Sequence, residues 1–276
     1  MPLDHQLNGN QVTTPDITNL IVFSDLDGTL LDHQTYSHAA AGPALNQLRE
    51  LHVPLILASS KTAVEIMPLR EEMGFAHCEA IVENGSGILE GDGNSEIEDK
   101  YQLIQQALNQ LPSQLRHQYE GFSDWSAQQI SERTGLSITN AANAKKRRFS
   151  EPGLWLGNEE DRQEFIAAIT AVGLTVQQGG RFMTLSFGGN KADRMMEIAS
   201  RHATDGKKPF TVALGDADND VAMIERADLG VIIPNPAHRG IPLLEGEATG
   251  QIIRAKFAGP AGWNEVITSL LETAEK

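Results

Sequence analysis

Short apolar runs alternate with longer amphipathic segments in the first third of the chain. Three runs, partly β-branched, predict buried strands at residues 20–24, 53–58 and 80–82. Between them, apolar positions recur at helical spacing, which predicts helices over 37–51 and 61–73. This strand–helix order predicts an α/β fold with a doubly wound parallel sheet.

The pattern changes in the middle of the chain, where glycines around Ile88 and Leu89 predict a hairpin. Helical segments then follow at 101–111, 126–133, 138–146 and 158–172. Strands are predicted between and after them, at 148–152, 154–156, 174–177 and 182–187. This mixed order predicts an inserted α+β module.

The alternating pattern returns from Asn190 to the end of the chain. It predicts helices over 190–201, 219–226 and 263–273, and strands over 210–214 and 229–233. We therefore expect a Rossmann-like core of residues 16–93 and 187–276, an inserted cap over 94–186, and a polar N-terminal extension over 1–15.

Composition narrows the class of protein. The 276 residues include 22 Lys and Arg against 37 Asp and Glu, a net charge of -15, which opposes binding to nucleic acid or to an anionic membrane. No apolar run approaches the ~20 residues of a membrane span, and the N-terminus has no apolar signal core. The single cysteine, Cys78, has no intrachain partner. We expect a soluble cytoplasmic protein acting on small molecules; the sequence leaves its oligomeric state open.

The first predicted strand ends in two carboxylates, Asp25 and Asp27, followed by Gly-Thr-Leu. Residues i and i+2 of a strand face the same way, and ligands bind at the carboxyl ends of strands in open α/β sheets. An Asp-Gly turn alone is common, but two carboxylates this close need a cation or a shared proton. We interpret Asp25 as a nucleophile, Asp27 as an acid/base, and Mg²⁺ as the cation.

A second acidic cluster follows the strand predicted at 210–214. Asp216 comes at the strand end, and Asn219 and Asp220 begin the next helix, where they are also suited to be caps. Mg²⁺ prefers an octahedral shell of oxygen ligands. We predict that Asp25, Asp216 and the backbone carbonyl of Asp27 hold the ion, with Asp220 in or just behind the shell.

Other phosphate- and metal-binding motifs do not fit. Counted as an EF-hand, neither acidic cluster has glycine at the sixth position, where Leu30 and Val221 stand. The chain also lacks a Gly-x-Gly-x-x-Gly after its first strand and a Walker loop. A bound phosphate also needs donors and positive charge, and Ser59 and Lys191 are candidates. The alternatives are a helix cap for Ser59 and a surface position for Lys191.

These motifs occur in an order that resembles the haloacid dehalogenase-like hydrolases, in the Cof-type branch with a large C2B cap. The residues are Asp25-Leu-Asp27, Ser59, Lys191 and the run from Gly215 to Asp220, with Glu83-Asn84-Gly85 resembling the loop into the cap. The resemblance implies that Asp25 attacks phosphorus, that Asp27 handles the proton, and that Mg²⁺ is the cofactor.

Four short sequence segments resemble those of the mannosyl-3-phosphoglycerate phosphatase family: residues 59–62, 148–152, 179–182 and 259–265. That family hydrolyses an anionic sugar phosphate to mannosylglycerate, a compatible solute. The resemblance implies anion binding by Arg148 and Arg181 and sugar binding by Glu151, while Asn84 and Asn219 are further substrate-binding candidates. A surface position remains the alternative for Arg181. The neighbours of Lys191 depart from the family pattern, since Asn190 and Ala192 flank it.

Three other functions stay open at this point. One is a phosphatase of the same cap class that acts on another sugar phosphate, and another is a phosphomannomutase. The third is a Mg²⁺-dependent phosphate-binding or regulatory module without turnover.

Overall fold

The computed structural model describes residues 16–91, 100–179 and 181–274. Its strands are β1 (Leu20–Ser24), β2 (Leu55–Ala58), β3 (Ala80–Val82), β4 (Gly87–Leu89), β5 (Tyr119–Gly121), β6 (Ser150–Trp155), β7 (Thr175–Gln178), β8 (Met183–Ser186), β9 (Phe210–Gly215), β10 (Leu229–Ile232) and β11 (Ile252–Arg254). The expected extension over 1–15 and the expected start of the cap at 94 lie outside the described residues.

Eleven α-helices are described in these ranges: α1 (Gly42–Glu50), α2 (Ala63–Glu72), α3 (Lys100–Gln110), α4 (Ser113–Arg116), α5 (Ala127–Thr134), α6 (Ile138–Ala144), α7 (Glu159–Ala171), α8 (Lys191–Arg201), α9 (Val221–Arg226), α10 (Gly246–Thr249) and α11 (Gly259–Ala274). Short 3₁₀ segments include Glu83–Gly85 and Asp218–Asp220. None of the described helices is long and apolar enough to cross a bilayer.

Contacts divide the chain into two compact units. The first consists of Met1–Ser59, Arg70–Ile81 and Lys191–Lys276, and the second of Ser60–Leu69 and Val82–Asn190. The domain limits expected from the sequence, with a cap over 94–186, stay predictions.

The first unit is built on a parallel sheet with strand order β11-β10-β9-β1-β2-β3. Central β1 pairs with β2 on one side and β9 on the other, so that Val22 lies opposite both Leu55 and Val212. All five residues of β1 are buried, as expected for a strand covered on both faces. The α/β prediction is confirmed, and the register brings the carboxyl ends of β1 and β9 side by side.

The second unit contains an antiparallel sheet with strand order β5-β6-β8-β7. Apolar side chains of α3 and α7 pack on it, including Ile104, Leu108 and Phe165. Tyr119 of β5 stacks on Phe165 with a ring separation of 5.2 Å. The α+β character predicted for the middle of the chain is therefore present.

One strand replaces two that the sequence predicted in this unit. Strand β6 runs without a break from Ser150 to Trp155, where separate strands over 148–152 and 154–156 were expected. Gly153, between the two predicted strands, lies under the Tyr119 ring, and a Cβ there would come within 2.5 Å of the ring and 2.6 Å of the Glu120 carbonyl oxygen. Gly153 is thus a close-packing position inside a strand.

Candidate active site

Four buried charged side chains meet at the carboxyl edge of the parallel sheet. Asp25 follows β1, Asp216 follows β9, Asp220 ends the 3₁₀ turn after β9, and Lys191 begins α8. The Asp25 N–H donates to the Leu214 carbonyl oxygen at 2.9 Å, which extends the β1–β9 ladder to the first carboxylate. Residues far apart in sequence thereby form one cluster.

The Lys191 ammonium group lies between two carboxylates. Its Nζ is 2.5 Å from Asp25 Oδ1 and 2.6 Å from Asp220 Oδ1, and the lysine is 1 % exposed. Burial raises the pKa of Asp25 well above its usual range, and Asp220 adds to this effect, while Lys191 opposes it. Burial alone would lower the pKa of Lys191, but Asp220 and Asp25 outweigh it and raise that pKa. Lys191 is therefore held as a cation that favours ionised Asp25.

The carboxylates also have the chemistry of a cation site. Oxygens of Asp25, Asp216 and Asp220 lie within 4.8 Å of one another, and all three residues are buried. Such a set of hard oxygen donors fits Mg²⁺, which takes few carboxylates and completes its shell with water and phosphate oxygens. These are the three side chains whose carboxylates the sequence assigned to the ion; the assignment of the Asp27 carbonyl stays a prediction.

Three side chains that sequence reasoning passed over orient Asp216. Its Oδ1 accepts from Thr29 Oγ1 at 2.7 Å, and its Oδ2 lies 2.7 Å from Asn235 Nδ2 and 2.8 Å from His238 Nε2. Asn235 comes three residues after β10, the neighbour of β9. Asn235 could have been predicted from the sequence, because it is a polar residue shortly after the strand predicted at 229–233, as Asp25 and Asp216 are after theirs.

The remaining core candidates lie at a strand end or in the turn that follows one. Ser59, 1 % exposed, directly follows β2, and its N–H donates to the Ile81 carbonyl oxygen at 2.9 Å. Asp27 is half-buried in the turn after β1, where Gly28 has φ 89°. Asn219 is exposed in the 3₁₀ turn. The roles assigned to these three residues stay predictions.

Substrate-binding candidates of the second unit have varied surroundings. Arg181 is exposed and donates to the carbonyl oxygens of Arg133 at 2.6 Å and Thr134 at 3.4 Å, at the end of α5. Arg148 is half-buried, with its guanidinium 6.0 Å from the Phe149 ring centroid. In this structure Arg181 therefore interacts with the C-terminal carbonyls of a helix, a favourable place for a cation.

Glu151 is fully buried and its carboxylate is occupied by protein donors. Oε1 accepts from Ser123 N at 2.8 Å and Ser123 Oγ at 2.6 Å, and Oε2 accepts from the Tyr101 hydroxyl at 2.8 Å. Burial raises the pKa of Glu151, against the effect of these donors. A carboxylate has about four acceptor positions, so binding of a sugar hydroxyl would use the fourth or displace a donor.

Asn84 directly follows Glu83, which the sequence marked only as part of the Glu83-Asn84-Gly85 string. Asn84 has φ 60° and ψ 33°, and Glu83 also has a positive φ of 50°. The Glu83 side chain is fully buried and pairs with Arg147, with Oε2 3.3 Å from Arg147 Nε. The sequence assigned no role to either side chain, because a glutamate in a turn and an arginine in a basic run are usually solvated.

Solved structures resemble this fold over nearly its whole length. The sucrose-phosphatase of Synechocystis sp. PCC6803 is 16% identical with a TM-score of 0.57, over 91% of this chain and 98% of that one. A Thermotoga maritima protein is 14% identical, with a TM-score of 0.62, over 91% and 97%. A phosphatase of the haloalkanoate superfamily from Bacteroides thetaiotaomicron is 16% identical, with a TM-score of 0.57, over 92% and 94%. At these identities the likeness shows a shared fold.

Family membership rests on the sequence itself. A protein-family model matches residues 22–241 of the chain, from inside β1 to beyond His238. The matched range includes both acidic strand ends, Ser59 and Lys191. The matched range also includes residues of both compact units described above. The chain belongs to the haloacid dehalogenase-like hydrolases.

Proposed function

We propose that this protein is a Mg²⁺-dependent phosphatase that hydrolyses 2-O-mannosyl-3-phosphoglycerate to mannosylglycerate and phosphate. The observation that carries the phosphatase chemistry is the buried cluster of Asp25, Lys191, Asp216 and Asp220. In this proposal Asp25 is the nucleophile, Lys191 is the fixed cation, and the carboxylates of Asp25, Asp216 and Asp220 bind the metal ion, which are the groups that phosphoryl transfer through an aspartyl-phosphate requires.

In the proposed first step, an Asp25 carboxylate oxygen attacks phosphorus and the bond from phosphorus to the glycerate oxygen breaks. Asp27, in its protonated form, gives its proton to the leaving oxygen. Lys191, 2.5 Å from Asp25, favours the ionised nucleophile and offsets charge that builds up on the phosphoryl group. Bound Mg²⁺ would supply further charge neutralisation at the phosphoryl oxygens.

In the second step, Asp27 takes a proton from water as the water oxygen attacks phosphorus. The bond from phosphorus to Asp25 breaks, which releases phosphate and restores both carboxyl groups. Thr29, Asn235 and His238 hold Asp216 throughout through the hydrogen bonds described above. Ser59 is assigned the donation of a hydroxyl hydrogen bond to phosphate.

The choice of substrate rests on the four short sequence segments and on charge. A chain of net charge -15 needs local cations to bind a substrate that carries both phosphate and carboxylate. We assign Arg148 and Arg181 to anion binding and Asn84, Glu151 and Asn219 to the rest of the substrate. One structure of the same fold, that of the sucrose-phosphatase, was solved in complex with sucrose and phosphate.

The test is phosphate release from mannosyl-3-phosphoglycerate with Mg²⁺, with and without chelator, beside glucosyl-3-phosphoglycerate and mannose phosphates. Chelator-sensitive release selective for the glycosyl-phosphoglycerates supports the proposal. Phosphate release from other sugar phosphates alone would refute the proposed substrate. An isomeric product without free phosphate would indicate a mutase. Binding without turnover would indicate a regulatory module.

A matched pair of variants tests the nucleophile. Asp25→Asn should abolish turnover because an amide is not a nucleophile toward phosphorus. Asp205→Asn is the control, since Asp205 is exposed with φ 53°, a conformation that Asn adopts well. Substantial turnover by Asp25→Asn would remove Asp25 from this role.

A further inference from the structure

Two segments of the second unit, far apart in sequence, are joined by one buried carboxylate. Glu83 Oε1 accepts from the Arg148 N–H at 2.8 Å, and Oε2 accepts from the Phe149 N–H at 3.1 Å and the Ser150 hydroxyl at 2.7 Å. Arg147 Nε lies 3.3 Å from the same Oε2. We refer to Glu83, Arg147 and Ser150 as the Glu83 cluster.

The Glu83 cluster satisfies its own hydrogen-bonding groups. The Ser150 hydroxyl donates to Glu83 and accepts from Arg147 Nε at 3.1 Å and Nη2 at 3.0 Å. Glu83 and Ser150 are both buried, and a buried carboxylate with this number of donors fixes the backbone that supplies them. The conformation of residues 147–150 is therefore set by Glu83.

The same carboxylate belongs to a strained turn. Glu83 and Asn84 have φ of 50° and 60°, a left-handed conformation unfavourable for residues with a side chain, and more so for glutamate than for asparagine. The Glu83 N–H donates to the Lys61 carbonyl oxygen at 2.9 Å, which ties this turn to the segment after Ser60. Strain held by surrounding bonds is typical of functional segments.

Packing reinforces the connection on the other side of the turn. A Cβ at Gly87 would lie 2.4 Å from the Phe149 ring, so that only glycine lets the ring pack against this strand. Arg147 Nη2 also donates to the Ser60 carbonyl oxygen at 3.3 Å. Three segments, beginning near Ser60, Glu83 and Arg147, thus form one rigid element.

We propose that Glu83 is a positioning residue that holds Arg148, assigned to the anionic part of the substrate, and Asn84, assigned to the rest of it, in a single element for substrate recognition. Asn84 follows Glu83 directly, and Arg148 donates its backbone N–H to it. Glu83 itself touches no substrate. The inference rests on the proposed function for the identity of the substrate, and on the contacts alone for the fixed arrangement.

The decisive variant is Glu83→Gln, which keeps the shape of the side chain. Oε2 of Glu83 contacts three donors, from Phe149, Ser150 and Arg147, so the amide oxygen of the new glutamine is expected to take its place. The glutamine NH₂ group then replaces Oε1 and faces the Arg148 N–H. Two donors in contact cannot bond, so the Arg148 amide is released. Glu120→Gln is the control, because Glu120 accepts from Trp125 Nε1 at 2.9 Å and is an equal loss of charge in the same unit.

Two readouts separate positioning from a general loss of structure. Hydrogen exchange of the Arg148 amide should accelerate by about tenfold in Glu83→Gln and not in Glu120→Gln. KM for mannosyl-3-phosphoglycerate should rise about tenfold with kcat within about twofold. Hydrolysis of p-nitrophenyl phosphate, which lacks the carboxylate and the sugar, should be unchanged. Unaltered exchange at Arg148, or an equal change in both variants, would overturn the proposal.

The two proposals fail in different ways. No release from mannosyl-3-phosphoglycerate by the wild type would refute the proposed function, while exchange at Arg148 and the affinity for 3-phosphoglycerate still decide the role of Glu83. If Glu83→Gln does not fold, Ser150→Ala removes one donor and keeps the pair with Arg147. It should then give a smaller rise in KM, and no rise would count against Glu83.

Discussion

Replacing Lys191 with methionine removes the one cation placed between Asp25 and Asp220. The side chain is 1 % exposed, and both carboxylate oxygens lie within 2.6 Å of its Nζ. Breaking a buried ion pair by removing one partner costs about 3–5 kcal/mol, because the other charge stays buried without compensation. At about 2–4 °C of melting temperature per kcal/mol in a chain of this size, we expect Lys191→Met to melt about 6–20 °C lower in metal-free buffer.

The response of the melting temperature to Mg²⁺ provides a second test of this prediction. If the carboxylates bind Mg²⁺, the ion restores part of the positive charge lost with Lys191, so that added Mg²⁺ should raise the melting temperature more in Lys191→Met than in the wild type. The assay is thermal unfolding with chelator and over a Mg²⁺ titration. Lys207→Met, at an exposed lysine, is the control. A melting temperature within about 1 °C of the wild type, well below the 6–20 °C worked out above, would refute the reasoning. A smaller Mg²⁺ increment would refute the metal site.

Three further predictions concern other parts of the structure. Asn235→Ala should weaken Mg²⁺ binding about 10-fold or more in a calorimetric titration, because it removes a donor that orients Asp216. Gly153→Ala should lower the free energy of unfolding by about 1–3 kcal/mol in urea, because its Cβ overlaps a packed ring and a carbonyl oxygen. The Glu79 carboxylate raises the pKa of His202 through a hydrogen bond, so the stabilisation lost in His202→Gln should be greatest below about pH 6.5 and fade as pH rises through the folded-state pKa.

Each of these has an outcome that would contradict it. Unchanged Mg²⁺ affinity in Asn235→Ala would mean that its contact with Asp216 does not orient a ligand. For Gly153, the control is Gly42→Ala, a helical position where a Cβ meets nothing within 4 Å; equal stability of the two variants would remove the packing argument. A His202→Gln effect that grows with pH would have the wrong sign for a histidine stabilised as a cation.

The parallel sheet was predictable because its strands are nearly continuous apolar runs. Strand β1 has the predicted bounds, and β9 extends the predicted run by one residue, to Gly215. The acidic residues that follow them were predictable too, since a strand end fixes where the next side chains lie. The position of side chains at the end of a buried strand can therefore be predicted from sequence alone.

Elements that depend on tertiary contacts could not be predicted. Strands β5 (Tyr-Glu-Gly) and β11 (Ile-Ile-Arg) were missed, because each has only three residues and, unlike the equally short β3 (Ala-Ile-Val), includes a charged residue. The sequence predicted a helix from residue 37, but α1 begins at Gly42, because a 3₁₀ turn over Ala39–Ala41 precedes it. Helix α11 begins at Gly259, four residues before the predicted start; Gly259 and Pro260 were interpreted as lying outside the helix, although proline is favoured in the first turn of a helix.

The candidate site shows the same division. Asp25, Asp216, Asp220 and Lys191 meet as the motifs imply, whereas the Glu83 side chain was not anticipated, because its partners lie 65 to 67 positions away. Nothing in a local window distinguishes a glutamate that will be buried by a distant segment from one that stays in solvent. Such residues become visible only when the backbone brings their partners together.

The pairing of β1 with β9 has a consequence for how the protein is made. Asp25 and Thr29 leave the ribosome before Asp216, which accepts the hydrogen bond of the Thr29 hydroxyl and lies 187 positions after Thr29. Closing a parallel pair over that separation is slow, since the entropy of the intervening chain must be lost first. The cluster therefore cannot assemble until β9 and the turn after it have been synthesised, and a truncated or stalled product that ends before β9 carries Asp25, the proposed nucleophile, without Asp216 and Asp220.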